Sequence, residues 1–151
     1  MQKTELIRGK LKEKVEELLN EGKIDVFLGF GQGELNNQRV PIMVTKAEDA
    51  EKLTFDFFSS TLLSRYLLSP QLKDKKVGIM VKGCDKRALN LLIKENRVDP
   101  DNIYTLGVNC NGVISFNRLR KNVENPEDCE IDLEGNILKV NSGTQEEVKF
   151  N

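Results

Sequence analysis

The chain has 151 residues, the ordinary span of one domain and enough to bury a core without disulfides or metals as staples. Its 23 Lys and Arg nearly balance 24 Asp and Glu for a net charge of −1, so the basic excess that phosphate neutralisation needs is missing and nucleic acid is argued against as a partner. No apolar run nears the ~20 residues that span a bilayer, and the opening MQKTELIRGK carries no signal-peptide block, so a cytoplasmic location without membrane insertion is expected.

Histidine is absent, which removes Ser-His-Asp and Cys-His catalysis and the commonest general base near neutral pH. Chemistry must rest on thiolates, carboxylates, lysines or a bound cofactor. The three cysteines, Cys84, Cys110 and Cys129, are odd in number and widely spaced, a pattern that fits a reducing compartment better than a secreted disulfide scaffold.

In chain order, Ile7, Leu11, Val15, Leu18 and Leu19 form one stripe ending at Gly22, which predicts an amphipathic helix with a glycine cap. Ile24 to Phe30 reads as a buried strand. The glycines of Gly29-Phe30-Gly31-Gln32-Gly33 are not the dinucleotide fingerprint, because the third comes too early and no helix follows; they are read as a plain hairpin or loop. Pro41 to Thr45 is a second short strand. Phe57 to Leu68 has helical spacing of Phe58, Leu62, Leu63, Tyr66 and Leu67 until Pro70 stops it, and these side chains are read as core.

Lys76 to Val81 is an apolar strand, Lys86 to Asn96 a helix, and Ile103 to Val108 a further strand. That order predicts a right-handed parallel unit, with Cys84 and Cys110 both at the carboxyl ends of strands, where open α/β sheets bind ligands. A shared ligand or a disulfide follows if the two strands pair directly. Asp85 is expected to cap the following helix, whose amides and dipole, with Lys82 nearby, favour a thiolate or a bound anion at Cys84. Either cysteine can equally be a small apolar filler. Cys129 sits in acidic PEDCEID, which disfavours a thiolate, and is read as filler. Residues 128–141 read as a C-terminal hairpin turning at Glu134-Gly135-Asn136. The fold expected for residues 1–151 is a single α/β domain, a mostly parallel sheet flanked by helices with a C-terminal β-hairpin.

The stretch VKGCDKRALNLLIKENRVDPDNIYTLGVNCNGVIS, around Lys82 to Ser115, resembles the beta-subunit family of coenzyme F420 hydrogenases and dehydrogenases, among its ferredoxin-like iron-sulfur relatives. In that family a KGCD turn opens a helix, and the next strand ends in a pattern matched here by Gly107, Val108, Cys110, Gly112 and Val113; the opening KVEELLNEGKIDVFLGFGQG is similar as well. The resemblance implies an electron-transfer module, the N-terminal part of a longer iron-sulfur oxidoreductase that also binds flavin, with redox proteins or subunits as partners. It implies Lys82, Gly83, Cys84, Asp85 and Cys110 as cofactor-binding residues, and Cys84 and Cys110 as iron-sulfur ligands. A 4Fe-4S cluster and FAD are expected in the full-length protein or complex only, because the family's cysteine-rich continuation is missing here and three cysteines cannot supply four thiolates. Two other readings are a non-redox docking domain for partner subunits and a metal-free thiol sensor.

An electropositive turn makes Cys84 a fast nucleophile. Its alkylation at neutral pH should outpace that of the same cysteine in the unfolded chain; an equal or slower rate in the folded protein would remove that property of the turn.

Overall fold

A computed structural model describes residues 2–110, 112–126, 130–134, 137–141 and 145–148. Helix α1 (Gln2–Asn20) buries Leu11, Val15 and Leu18 along the stripe seen in the sequence. It ends at Gly22, whose φ of 68° lets its N–H reach the Leu19 carbonyl at 3.2 Å while the Lys23 N–H reaches that of Leu18 at 3.0 Å. These two bonds satisfy carbonyls the last turn would leave orphaned.

The main sheet has five strands: β1 (Val26–Gln32), β2 (Arg39–Val44), β3 (Leu53–Thr54), β4 (Val77–Val81) and β5 (Ile103–Gly107). Their order is β2-β1-β4-β5, with β3 also on β1. The pairs β1–β4 and β4–β5 are parallel, while β2 and β3 lie antiparallel to β1. All five residues of β4 are buried, as the unbroken apolar run KVGIMV required of a central parallel strand. One edge of β1 is shared: β4 pairs with Val26 to Leu28 and β3 with Phe30 and Gly31, so β1 and β4 part company beyond Leu28.

The glycine run read as a hairpin or loop lies in the β1–β2 hairpin, with Gly29 and Gly31 in its first strand. A Cβ on Gly29 would stand 2.6 Å from Leu53 Cδ2, and one on Gly31 2.8 Å from Ile42 Cδ1, so β1 runs bare of side chains where β3 and β2 crowd it. The hairpin loop itself begins only at Gly33, whose N–H donates to the Gln38 carbonyl at 2.9 Å.

Helix α2 (Gly83–Lys94) links β4 to β5 and starts three residues before the expected Lys86. Its N-cap is Lys82, with extended φ and ψ of −82° and 170°, so Asp85 is the third helical residue rather than the cap. Asn96, at a φ of 53°, closes the far end as Gly22 closes α1. A 3-10 turn, Pro100–Asn102, then delivers β5.

The helix expected over Phe57 to Leu68 does not form. Asp56 accepts the Phe58 N–H at 2.9 Å and its own N–H donates to Ser59 Oγ at 3.2 Å, the bonds of a helix start, but the Phe57 carbonyl is taken by the Ile114 N–H and those of Ser59 and Thr61 by the Lys82 ammonium, so the acceptors a continuing helix needs are used elsewhere. The chain runs irregularly to Leu62, and only Leu63–Leu68 winds, as a 3-10 turn that buries Leu63, Ser64 and Leu67. Helix α3 (Phe116–Asn122), unassigned from sequence, buries Leu119.

Strands β6 (Glu130–Glu134), β7 (Ile137–Asn141) and β8 (Gln145–Val148) pair antiparallel in a second sheet. The expected hairpin turn at 135–136, and Cys129, lie outside the described residues. No helix among the described residues is long and apolar enough to cross a membrane.

A close internal fit on two sides is at Gly78 in β4, where a Cβ would meet Phe27 Cδ2 at 2.7 Å and Ile24 Cδ1 at 2.8 Å. Both neighbours are buried and cannot swing to solvent. Gly78→Ala should therefore cost about 1–3 kcal/mol in denaturant unfolding, the usual penalty of overpacking; an unchanged midpoint would show a core that yields at this point.

Candidate functional site

The site is built where β4 and β5 end. Val81 registers with Gly107, the Val108 N–H continues the ladder to the Val81 carbonyl at 3.0 Å, and each cysteine lies three residues past that last registered pair. The parallel order thus carries Cys84 and Cys110 to the same carboxyl edge, each in the segment that follows one of two neighbouring strands. Cys84, in the first turn of α2, is exposed; Cys110 is half-buried and packs against the core.

The charged residues of the KGCD turn point the other way. Lys82 is 1% and Asp85 0% exposed. The Lys82 ammonium donates to the carbonyls of Ser59 and Thr61, both at 2.9 Å, and stands 4.6 Å from the centroid of the Phe30 ring. That ring is reachable because β1 and β4 diverge beyond Leu28. Asp85 Oδ1 accepts the Ser64 N–H at 3.3 Å, and Oδ2 lies 3.2 Å from the ammonium. Oδ2 makes no hydrogen bond of acceptable angle, so its link to Lys82 is an ionic contact rather than a directional bond.

A buried cation between two carbonyls, a carboxylate and an aromatic face is fully engaged. Of the five residues expected to hold a cofactor, Gly83, Cys84 and Cys110 therefore lie at the surface of the site or partly within it, while Lys82 and Asp85 support it from beneath. The sequence reading missed the other wall. Residues 56–64 cross under both cysteine turns, binding Lys82 and Asp85 as above and taking the Ile114 N–H on the Phe57 carbonyl at 2.6 Å. The Asp56-Phe57-Phe58-Ser59-Ser60-Thr61 run, rich in residues that bond their own backbone, was the available signal against a helix there.

Among the described residues no group of three or more His, Cys, Asp or Glu is placed to hold a metal ion. A cleft of about 620 Å³ is elsewhere: it opens between α1, the β1–β2 ribbon and residues 49–54, with Arg8, Gly31, Arg39, Met43 and Lys52 among its walls. Arg39 is tied to Asp56 there by bonds of 2.8 and 2.6 Å. A hydrogen bond between Lys52 and Asp49 holds the carboxyl below its ordinary range and the ammonium above its own.

Fold and site together define an α/β module that presents two thiols at the carboxyl edge of parallel strands. The chain belongs to the coenzyme F420 hydrogenase/dehydrogenase beta-subunit family: the family model for the C terminus of that beta subunit matches residues 74–150, taking in both cysteine turns. The chain is 29% identical over 141 residues to the F420-dependent formate dehydrogenase subunit beta of Methanocaldococcus jannaschii, a match covering 88% of this chain and 37% of that protein. It is 28% identical over 141 residues to the F420-dependent formate dehydrogenase 1 subunit beta of Methanococcus maripaludis, covering 88% of this chain and 36% of that one. The chain thus spans little more than a third of the length of these curated relatives. Among solved structures, a chain of the F420-reducing NiFe hydrogenase complex from Methanosarcina barkeri matches with a TM-score of 0.65 at 21% identity, over 82% of this chain and 46% of that one, a likeness of fold.

The buried pair makes its own test. Asp85→Ala strips the ammonium of its counter-charge and leaves the Ser64 N–H unpaired, and should destabilise the protein by about 3–5 kcal/mol, as breaking a buried ion pair does. A loss below about 1 kcal/mol, the range of exposed pairs, would mean that water reaches the pair.

Proposed function

We propose that the chain is an electron-transfer module of an oxidoreductase of this family, acting through the paired thiols Cys84 and Cys110. The observation that supports the reading is the parallel pairing of β4 with β5, because Cys84 and Cys110 each follow its last registered pair, Val81 and Gly107, by three residues. Family membership supplies the reaction class, since the matched relatives are named as subunits of F420-dependent dehydrogenases. Electron-transfer partners in this reading are the remainder of a longer subunit and other subunits of its complex.

The cofactors expected from the resemblance are a 4Fe-4S cluster and FAD. A conventional cluster takes four thiolates, and the described residues bring Cys84 and Cys110 with no third metal-binding group beside them, so they do not form that site by themselves. The proposed role of the two thiols is a half-set of ligands, completed by groups outside the described residues. For FAD, the ammonium of Lys82 is already taken by Ser59, Thr61 and Asp85, which leaves the surface around Gly83 and Cys84 as the part of the turn open to a cofactor.

A second reading, a docking domain, is favoured by apolar side chains left open near the β5 edge: Tyr104 is 38% and Leu91 56% exposed. Anaerobic reconstitution with iron and sulfide separates the two. The isolated chain should hold no stoichiometric four-iron cluster, whereas the intact complex should contain one that Cys84→Ser and Cys110→Ser each deplete. Full iron content and activity in both serine complexes would move the assignment to docking.

A further inference from the structure

The irregular residues 56–64 behave as a strap with three anchors. At one end Asp56 is held by Arg39 of β2. In the middle the carbonyls of Ser59 and Thr61 turn inward onto the Lys82 ammonium, and at the far end the Ser64 N–H meets Asp85. Between the first two anchors, the Phe57 carbonyl holds Ile114, four residues past Cys110. One short segment thereby grips the turn that carries Cys84 and the loop that follows Cys110.

Only a cation closes this arrangement. Ser59 is fully buried, and inward carbonyls without a donor would each carry the desolvation cost of an unpaired polar group. A neutral side chain at position 82 offers no charge to Asp85 and nothing to the face of Phe30. The lysine arm places an ammonium where a free monovalent cation would otherwise have to bind, and fixes it covalently two residues from Cys84.

We propose that Lys82 is a positioning residue, a tethered cation that pins the strap of residues 56–64 across both cysteine turns and so sets the spacing of Cys84 and Cys110. This rests on the reading that the two thiols act as a pair.

The test uses the full chain in a Cys129→Ser background. The rate at which a short bis-maleimide joins Cys84 to Cys110 is measured and divided by the rate at which each thiol reacts alone with a monofunctional maleimide. Lys82→Ala should lower this normalised cross-linking by about tenfold or more, the scale on which lost positioning is felt. Propylamine, which restores the missing ammonium as a free molecule, should recover most of it, and tetramethylammonium, with no N–H to donate, should not. A folded Lys82→Ala protein that cross-links like the parent, or that propylamine leaves unchanged, overturns the proposal.

Should Lys82→Ala fail to fold, Lys82→Met/Asp85→Leu removes both charges while keeping apolar volume, an exchange that buried pairs often tolerate. It should show the same loss with no response to propylamine, and unaltered cross-linking in it likewise overturns the proposal. Hydrogen exchange at the Ser64 amide separates this idea from the thiol-pair reading. If exchange there quickens in Lys82→Ala and slows again with propylamine, while no protein cross-links, the parent included, the strap is pinned as described and the pairing of the thiols is what fails.

Discussion

A lysine ammonium buried under a cysteine turn is the constraint on which the site depends. Water gives up that charge only at a cost of several kcal/mol, so the interior has to supply acceptors on every side. Here the supply comes from separate elements at once: the ring of Phe30 on β1, the carbonyls of Ser59 and Thr61 on the strap, and the carboxylate of Asp85 on α2. Such a pair adds less to stability than an apolar filling of the same volume would, and more to uniqueness, since the charge accepts one arrangement of its neighbours. The arrangement it accepts is the one that leaves Cys84 facing outward.

Local pattern made much of this legible. The stripe of α1, the unbroken apolar run of β4 and the leucines of α2 are short-range signals of periodicity, and the strand-helix-strand order that follows from them places both cysteines at one edge of the sheet. The direction of Lys82 was not legible, because its partners lie 23 and 21 residues earlier in a segment whose own spacing reads as helix. In Phe57 to Leu68 the apolar period competes with an ammonium that claims the Ser59 and Thr61 carbonyls and with the Ile114 N–H, which claims that of Phe57. Tertiary demand prevails there over periodicity. The glycine run was legible as a hairpin, but the crowding of Gly29 by Leu53 and of Gly31 by Ile42 was not, because both neighbours come from strands that follow later in the chain.

The two cysteines differ more in setting than their equal distance from the last registered pair of β4 and β5 suggests. Cys84 begins a helix and meets solvent, while Cys110 follows an edge strand and rests against the core. One thiol is open to reagents and the other is held by packing. The cleft bounded by Arg8 and Lys52 belongs to the α1 side of the β1–β2 ribbon, and Arg39 connects the two regions by lining the cleft while anchoring the strap through Asp56.

The shared edge of β1 bears on how the chain assembles. β1 and β2 are neighbours in sequence, as are β4, α2 and β5, so each half can form from local contacts, whereas the β1–β4 ladder that unites them closes a loop of about 50 residues and is the slow event. Lys82 and Asp85 are one helical turn apart and can meet before that closure, while still hydrated. Docking of the halves then brings Phe30 and the strap over a pair that already exists and strips its water in the same step. A chain whose halves met in the wrong register would bury an ammonium with no carbonyls to receive it, at a cost of several kcal/mol, so the charge that fixes the finished site also weighs against mispaired arrangements.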